Sequence, residues 1–150
     1  MLDQTTDTAR RDWLSLLAKS PTGRARDLLS ALDLSPSHEL LRAPEIGSVM
    51  VRGRAGGTGA PFNLGEITVT RASLKLACGT VGHGYVQGRS KEDALSAALI
   101  DALMQTEAAD HIADAVLAPL RQEMATRRAT RAGKAAATKV EFFTMARGED

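Results

Sequence analysis

The sequence predicts a single α+β domain, with an antiparallel sheet of about four strands set between an N-terminal helical hairpin and C-terminal helices. Three observations carry this. Over 1–36 apolar residues recur at helical spacing, over 46–89 they alternate with polar ones, and over 90–139 helical spacing returns. Strands that follow one another through short turns pair antiparallel. Strands grouped together, rather than alternating with helices, give α+β rather than α/β. The last stretch, 140–150, reads as a docking tail, and a chain of 150 residues is about one domain's worth.

Each element has its own signals. Thr6 or Asp7 is placed to cap a first helix, in which Ala9, Trp13, Leu16 and Leu17 share a face opposite Arg11, Asp12, Ser15 and Lys19. Ser20-Pro21 stops it and starts the next, Ser as cap and Pro at the first helical position. Ala25, Leu28, Leu29 and Leu32 form the second stripe, which Leu34-Ser35-Pro36-Ser37 ends. Glu39 to Arg42 predicts a short strand that Pro44 confines to an edge or an end. Period two then runs through Val49 and Val51, through Ile67 to Leu76, and through Val81 to Gln87. In the last of these Gly82, Gly84 and Gly88 share one side, and Val81, His83, Tyr85 and Gln87 the other. A strand side without side chains lets a helix come close. Ser90 caps that helix, and its adjoining rows Ala94, Ala98, Ala102 and Leu95, Leu99, Leu103 suit the glycine side.

Charge is balanced overall, at +1, so there is no global reason to expect nucleic acid or an acidic membrane surface. From Leu120 to Lys139, however, six cations (Arg121, Arg127, Arg128, Arg131, Lys134, Lys139) face a single acid, Glu123. Met124, Ala125, Ala129, Ala132 and Ala136 give this segment only a thin apolar stripe, so it reads as a solvated helix or an arm meant for a partner. Phe142, Phe143, Met145 and Arg147 then form an aromatic and basic tail that needs something to dock on. One cysteine, Cys78, makes no internal disulfide and fits a reducing compartment. No apolar run approaches the ~20 residues of a membrane span, and Met1-Leu2-Asp3-Gln4 has no signal-peptide character, so a cytoplasmic protein is expected.

Chemistry is sparse. Ala55-Gly56-Gly57-Thr58-Gly59, preceded by Arg52 and Arg54, invites a phosphate-binding reading, because glycine backbones can aim N–H groups at an anion. Yet no Gly-Lys-Ser/Thr follows, and the loop opens into a strand rather than a helix, so neither nucleotide fingerprint is present. A glycine-rich hairpin connection is the plainer reading. Arg71 and Arg89 flank the sheet and could fork onto phosphate oxygens or pair with Glu66, Asp93 or Asp101. His38, His83 and His111 are scattered without metal spacing, and Cys78 reads as a buried, inert thiol. No catalytic residue and no metal site is predicted.

The ordered set Arg54-Ala55-Gly56-Gly57-Thr58-Gly59, Phe62, Gly65, Thr70-Arg71-Ala72, Gly79-Thr80, Gly82, Tyr85, Val86-Gln87-Gly88-Arg89, Ile100-Asp101-Ala102-Leu103-Met104 and Phe142-Phe143-Thr144-Met145 resembles the PhnG family, the G subunit of the bacterial carbon–phosphorus lyase core complex. The resemblance implies a subunit that supports formation of ribose 1-phosphonate 5-triphosphate from ATP and a phosphonate, with release of adenine. It implies other core subunits as partners, above all the nucleosidase-like I subunit. It also implies that this chain binds no cofactor of its own, while the complex uses ATP with Mg. Beside it stand two alternatives drawn from the residues. One is an anion- or nucleotide-phosphate-binding accessory protein that uses Arg52, Arg54, Gly56, Gly57, Thr58, Gly59, Arg71 and Arg89. The weaker one is an RNA binder using Arg127, Arg128, Arg131 and Lys134, which lacks aromatic platforms.

Overall fold

The computed structural model describes residues 4–139. Helix α1 (Gln4–Ala18) buries Trp13, Leu16 and Leu17. Its expected fourth face residue, Ala9, is exposed instead, and Arg10 turns inward beside it. Thr6 and Asp7 lie within the helix rather than capping it. Asp7 still belongs to the first turn, where its charge suits the helix dipole. Ser20 closes α1, donating from its hydroxyl to the Leu17 carbonyl at 2.9 Å. Helix α2 (Arg24–Ser30) therefore starts later than Ser20-Pro21 suggests, after Gly23 at φ 80°. The Gly23 N–H is held by both oxygens of Asp93, at 2.9 and 3.1 Å.

The sheet has three strands, in the order β1 (His38–Arg54), β2 (Pro61–Leu76), β3 (Val81–Gln87), all antiparallel. Four were expected because Pro44 suggested a break. Glu39–Arg42 and the Val49 stretch instead belong to one strand of 17 residues. β1 is an edge strand, and its register shifts between Leu40 and Arg42 and between Arg42 and Glu45. A bulged edge is where a residue without an N–H is tolerated.

Helix α3 (Lys91–Leu103) covers one face of the sheet. Thr70, Ala72, Leu74 and Leu76 of β2 are buried there with Val86 of β3. Gly82 and Gly84 are where the helix comes closest. A Cβ on Gly82 would fall on the Ala98 carbonyl oxygen and 2.7 Å from the Ala102 nitrogen. One on Gly84 would fall on the Ala94 carbonyl oxygen and 2.9 Å from the Ala98 nitrogen. The Ala row of α3 and the bare side of β3 thus meet backbone to backbone. Gly88 has open space around it and serves a different need, a turn at φ 98°. Ser90 caps α3, accepting the Asp93 N–H at 3.1 Å.

α1 and α2 both rest on α3, and α1 also lies against β3. Helix α4 (Ala109–Ile112) passes through a π-helical turn, Ala113–Leu117, into α5 (Ala118–Ala137). Pro119, in the first turn of α5, has no N–H for the regular ladder, and the widened turn precedes it. Ile112, Val116, Leu117 and Leu120 pack into the core, and every described residue from Ala125 onward is exposed. The basic end of α5 is therefore uncovered among the described residues, as either a solvated helix or an arm would be.

Candidate functional site

The far end of the β1–β2 hairpin is uncovered among the described residues. β3 pairs with β2 only from Lys75 to Val69, so beyond that point the sheet is a two-stranded ribbon. None of the residues 48–67 is buried. At a rise of about 3.4 Å per residue the ribbon projects roughly 20 Å from the body. A bare two-stranded ribbon is marginal in water. Register shows what it presents. Val49 stands opposite Ile67, Val51 opposite Gly65 and Gly53 opposite Phe62, which gathers Val49, Val51, Phe62 and Ile67 on one face. Phe62 lies over Gly53, its Cζ 3.5 Å from where a Cβ would be. The other face pairs Ser48 with Thr68, Met50 with Glu66 and Arg52 with Asn63. One side thus carries an apolar stripe and the other is polar apart from Met50, and neither has a core beneath it among the described residues. β1 also lies at the sheet edge, with no strand beside its outer side among the described residues.

The glycine loop is the ribbon's tip. It contains a 3-10 turn, Ala55–Gly57, with Gly56 at φ 59° and Gly57 at φ 82°. The Gly59 N–H donates to the Ala55 carbonyl at 2.8 Å, and Arg54 donates to the Gly59 carbonyl at 3.2 Å. The loop so closes the hairpin with its own groups. Arg52, Arg54 and Gly57 line a shallow hollow there, with Thr58 exposed beside it.

The four arginines predicted as a phosphate grip do not converge. Arg71 stands opposite Glu45, nine residues along β1 from Arg54, and pairs with that Glu45 at 2.7 Å. Its partner is thus neither Glu66, Asp93 nor Asp101. Arg89 is exposed in the turn before α3. Arg52 and Arg54 alone share a location. Phe142, Phe143, Met145 and Arg147 lie outside the described residues.

Asp101 instead organises the other end of the sheet. It is 0% exposed and takes four donors: Arg10 Nε at 3.1 Å, Arg10 Nη2 at 2.7 Å, Trp13 Nε1 at 2.9 Å and the His83 backbone N–H at 2.8 Å. The last is an edge N–H of β3, and Gln105 covers the neighbouring Val81 carbonyl at 3.0 Å. The carboxylate therefore closes one sheet edge and locks α1 to it. Its signal in the sequence was a lone acid among Ala97, Ala98, Ile100 and Ala102 on a helix chosen for close packing.

The histidines stay apart, on β1 (His38), β3 (His83) and α4 (His111). Sequence reading missed the contact of His83 Nδ1 with Ser73 Oγ at 2.8 Å. The two residues are direct cross-strand partners, so register alone delivers that contact. Cys78 is exposed, contrary to expectation, because it sits in the β2–β3 turn rather than at the end of a buried strand. The Thr80 hydroxyl 3.3 Å away, then the Thr80 backbone N–H, hold its thiol below the ordinary value. Among the described residues no group of three or more His, Cys, Asp or Glu could hold a metal ion, and no helix is long and apolar enough to cross a membrane.

Residues 8–148 match the family model described as phosphonate metabolism protein PhnG. The alpha-D-ribose 1-methylphosphonate 5-triphosphate synthase subunit PhnG of Rhizobium meliloti (strain 1021) is 43% identical over 141 residues, which is 94% of this chain and 90% of that relative.

Proposed function

The chain belongs to the PhnG family of phosphonate metabolism proteins, and from that premise we propose that it is a subunit of an alpha-D-ribose 1-methylphosphonate 5-triphosphate synthase within the carbon–phosphorus lyase system. The single observation that carries this is the match to a synthase subunit across nearly the whole of both chains. The role is accessory: the chain supports formation of the ribose 1-phosphonate 5-triphosphate from ATP and a phosphonate, with release of adenine, while other subunits supply the reacting groups. ATP, with Mg, is used by the assembly. The partners are the other core subunits, and the nucleosidase-like I subunit is the one this chain docks on.

What supports docking is the ribbon. Its apolar face, Val49, Val51, Phe62 and Ile67, has no cover among the described residues, and Arg52 and Arg54 stand at its tip as interface cations. The basic end of α5 offers a second surface.

Reconstitution tests the reading. The core subunits are mixed with ATP and methylphosphonate, with and without this chain, and adenine release is followed. Adenine release only when the chain is present is the expected result. Full release without it, together with failure of the chain to co-purify with the I subunit, would reject the proposal.

A further inference from the structure

A cleft of about 310 Å³ opens between the end of α1, the end of β3 and the exposed side of α5. It is lined by Lys19, Gln87, Met124, Arg127, Arg128 and Arg131, so among the described residues four cations border it and no acid does. The spacing of Met124, Arg127, Arg128 and Arg131 puts them on one side of the helix. Packing holds that side in place. Leu120, one turn earlier, is 2% exposed, and Glu123 forms a 2.7 Å ion pair with Arg24. This same pair occupies the only acid of α5. Among the described residues none of Lys19, Arg127, Arg128 and Arg131 takes part in an ion pair.

We infer that this cleft binds a phosphate-rich anion of the triphosphate class. Cations gathered in a concave place without counter-charges focus a positive field, which raises the local concentration of anions. Arginine forks match phosphate oxygens two at a time. The Gln87 amide adds a neutral donor at the rim. The volume is at the low end for ligand pockets, which run from ~300 to ~1,000 Å³, so it suits the charged end of a ligand rather than a whole cofactor. Nucleic acid is disfavoured: among the described residues no aromatic side chain lines the cleft for base stacking. The choice of a triphosphate over other phosphate-rich anions rests on the synthase reading above, whereas the charge cluster does not.

The test is calorimetric titration of the full chain with inorganic triphosphate, inorganic phosphate and a mixed-sequence single-stranded RNA. Inorganic triphosphate is expected to bind once per chain, at least about tenfold tighter than phosphate, as two or more charge-assisted contacts would give. R127Q/R131Q should weaken it at least about tenfold, while R121Q, exposed on α5 outside the cleft, should change it less than about twofold. Absence of saturable triphosphate binding, an equal loss in R121Q, or tighter binding of the RNA would each overturn the inference. Triphosphate binding by a chain that does not join the synthase subunits would keep the cleft and reject the subunit reading, so the two failures are distinct.

Discussion

Arg10 grips Asp101 with two nitrogens, Nε at 3.1 Å and Nη2 at 2.7 Å, across 91 residues of chain. The Arg10 side chain is 30% exposed and that of Asp101 0%. That asymmetry makes the two deletions unequal. Asp101→Ala leaves the Trp13 indole N–H and the His83 N–H without an acceptor, each costing ~1–3 kcal/mol. Arg10→Ala leaves the carboxylate two donors and a path to water. We expect Asp101→Ala to cost about 3–5 kcal/mol, a large part of the ~5–15 kcal/mol a domain has. Arg10→Ala should cost clearly less. Urea unfolding followed by the fluorescence of Trp13, the chain's one tryptophan, reads both. Equal losses below about 1 kcal/mol, the usual range of surface pairs, would show that the carboxylate is not an anchor.

Gly82 and Gly84 should be intolerant of any side chain. Gly82→Ala and Gly84→Ala place a methyl on the α3 backbone at Ala98 and Ala94, and helix and strand must part. We expect a loss of about 3 kcal/mol or more for each, at or beyond the upper end for overpacking. Gly47→Ala and Gly65→Ala, with nothing within 4 Å of the added carbon, should stay within about 0.5 kcal/mol. Thermal melts of the four variants check the contrast, and similar melting temperatures in all four would refute the close contact.

Cys78 should react as an accessible thiol with more thiolate than usual at neutral pH. The Thr80 hydroxyl and then its N–H favour the charged sulfur, so the pKa lies below the ordinary thiol value. The alkylation rate should reach half its maximum below that ordinary pH. Thr80→Val removes the hydroxyl and should move the midpoint up. An iodoacetamide rate profile against pH measures this, and a midpoint unmoved by Thr80→Val would remove the proposed cause.

Much of the fold was legible because local periodicity and tertiary packing agree in it. The empty side of β3 and the Ala row of α3 each predicted the other, and Ser90 announced its helix. The strand count was misread because Pro44, which pointed to an edge or an end, does not end the strand: bulges on either side of Arg42 let the edge strand run on through it. The site was less legible. Whether Arg71 meets a ligand or Glu45 depends on register, which a sequence leaves open. Ribbon length was hidden for the same reason: Val49 and Ile67 alternate like core strand residues, and among the described residues no third strand lies beside them. Lys19 and Gln87 carried no signal at all, being brought to α5 by the packing of three separate elements.

Single charges on the ribbon should separate stability from assembly. Val49→Asp and Ile67→Asp put a carboxylate on its apolar face, where Ile67 is 38% exposed. Neither touches the core, so each should shift stability by no more than about 0.5 kcal/mol. Each should also weaken capture by the synthase subunits by about tenfold or more, as expected for burial of an unpaired charge at an interface. Loss of fold in either variant would mean that the ribbon face is internal packing.

The most direct measurement replaces residues 48–68 with a two-residue Asn-Gly turn joining Gly47 to Val69, opposite neighbours in the register. The shortened chain is co-expressed with the other synthase subunits and purified on a tag carried by one of them. The account predicts a chain that unfolds as cooperatively as the full-length one yet is absent from the purified assembly. A shortened chain recovered in full amount with its partners, and supporting adenine release, would contradict it.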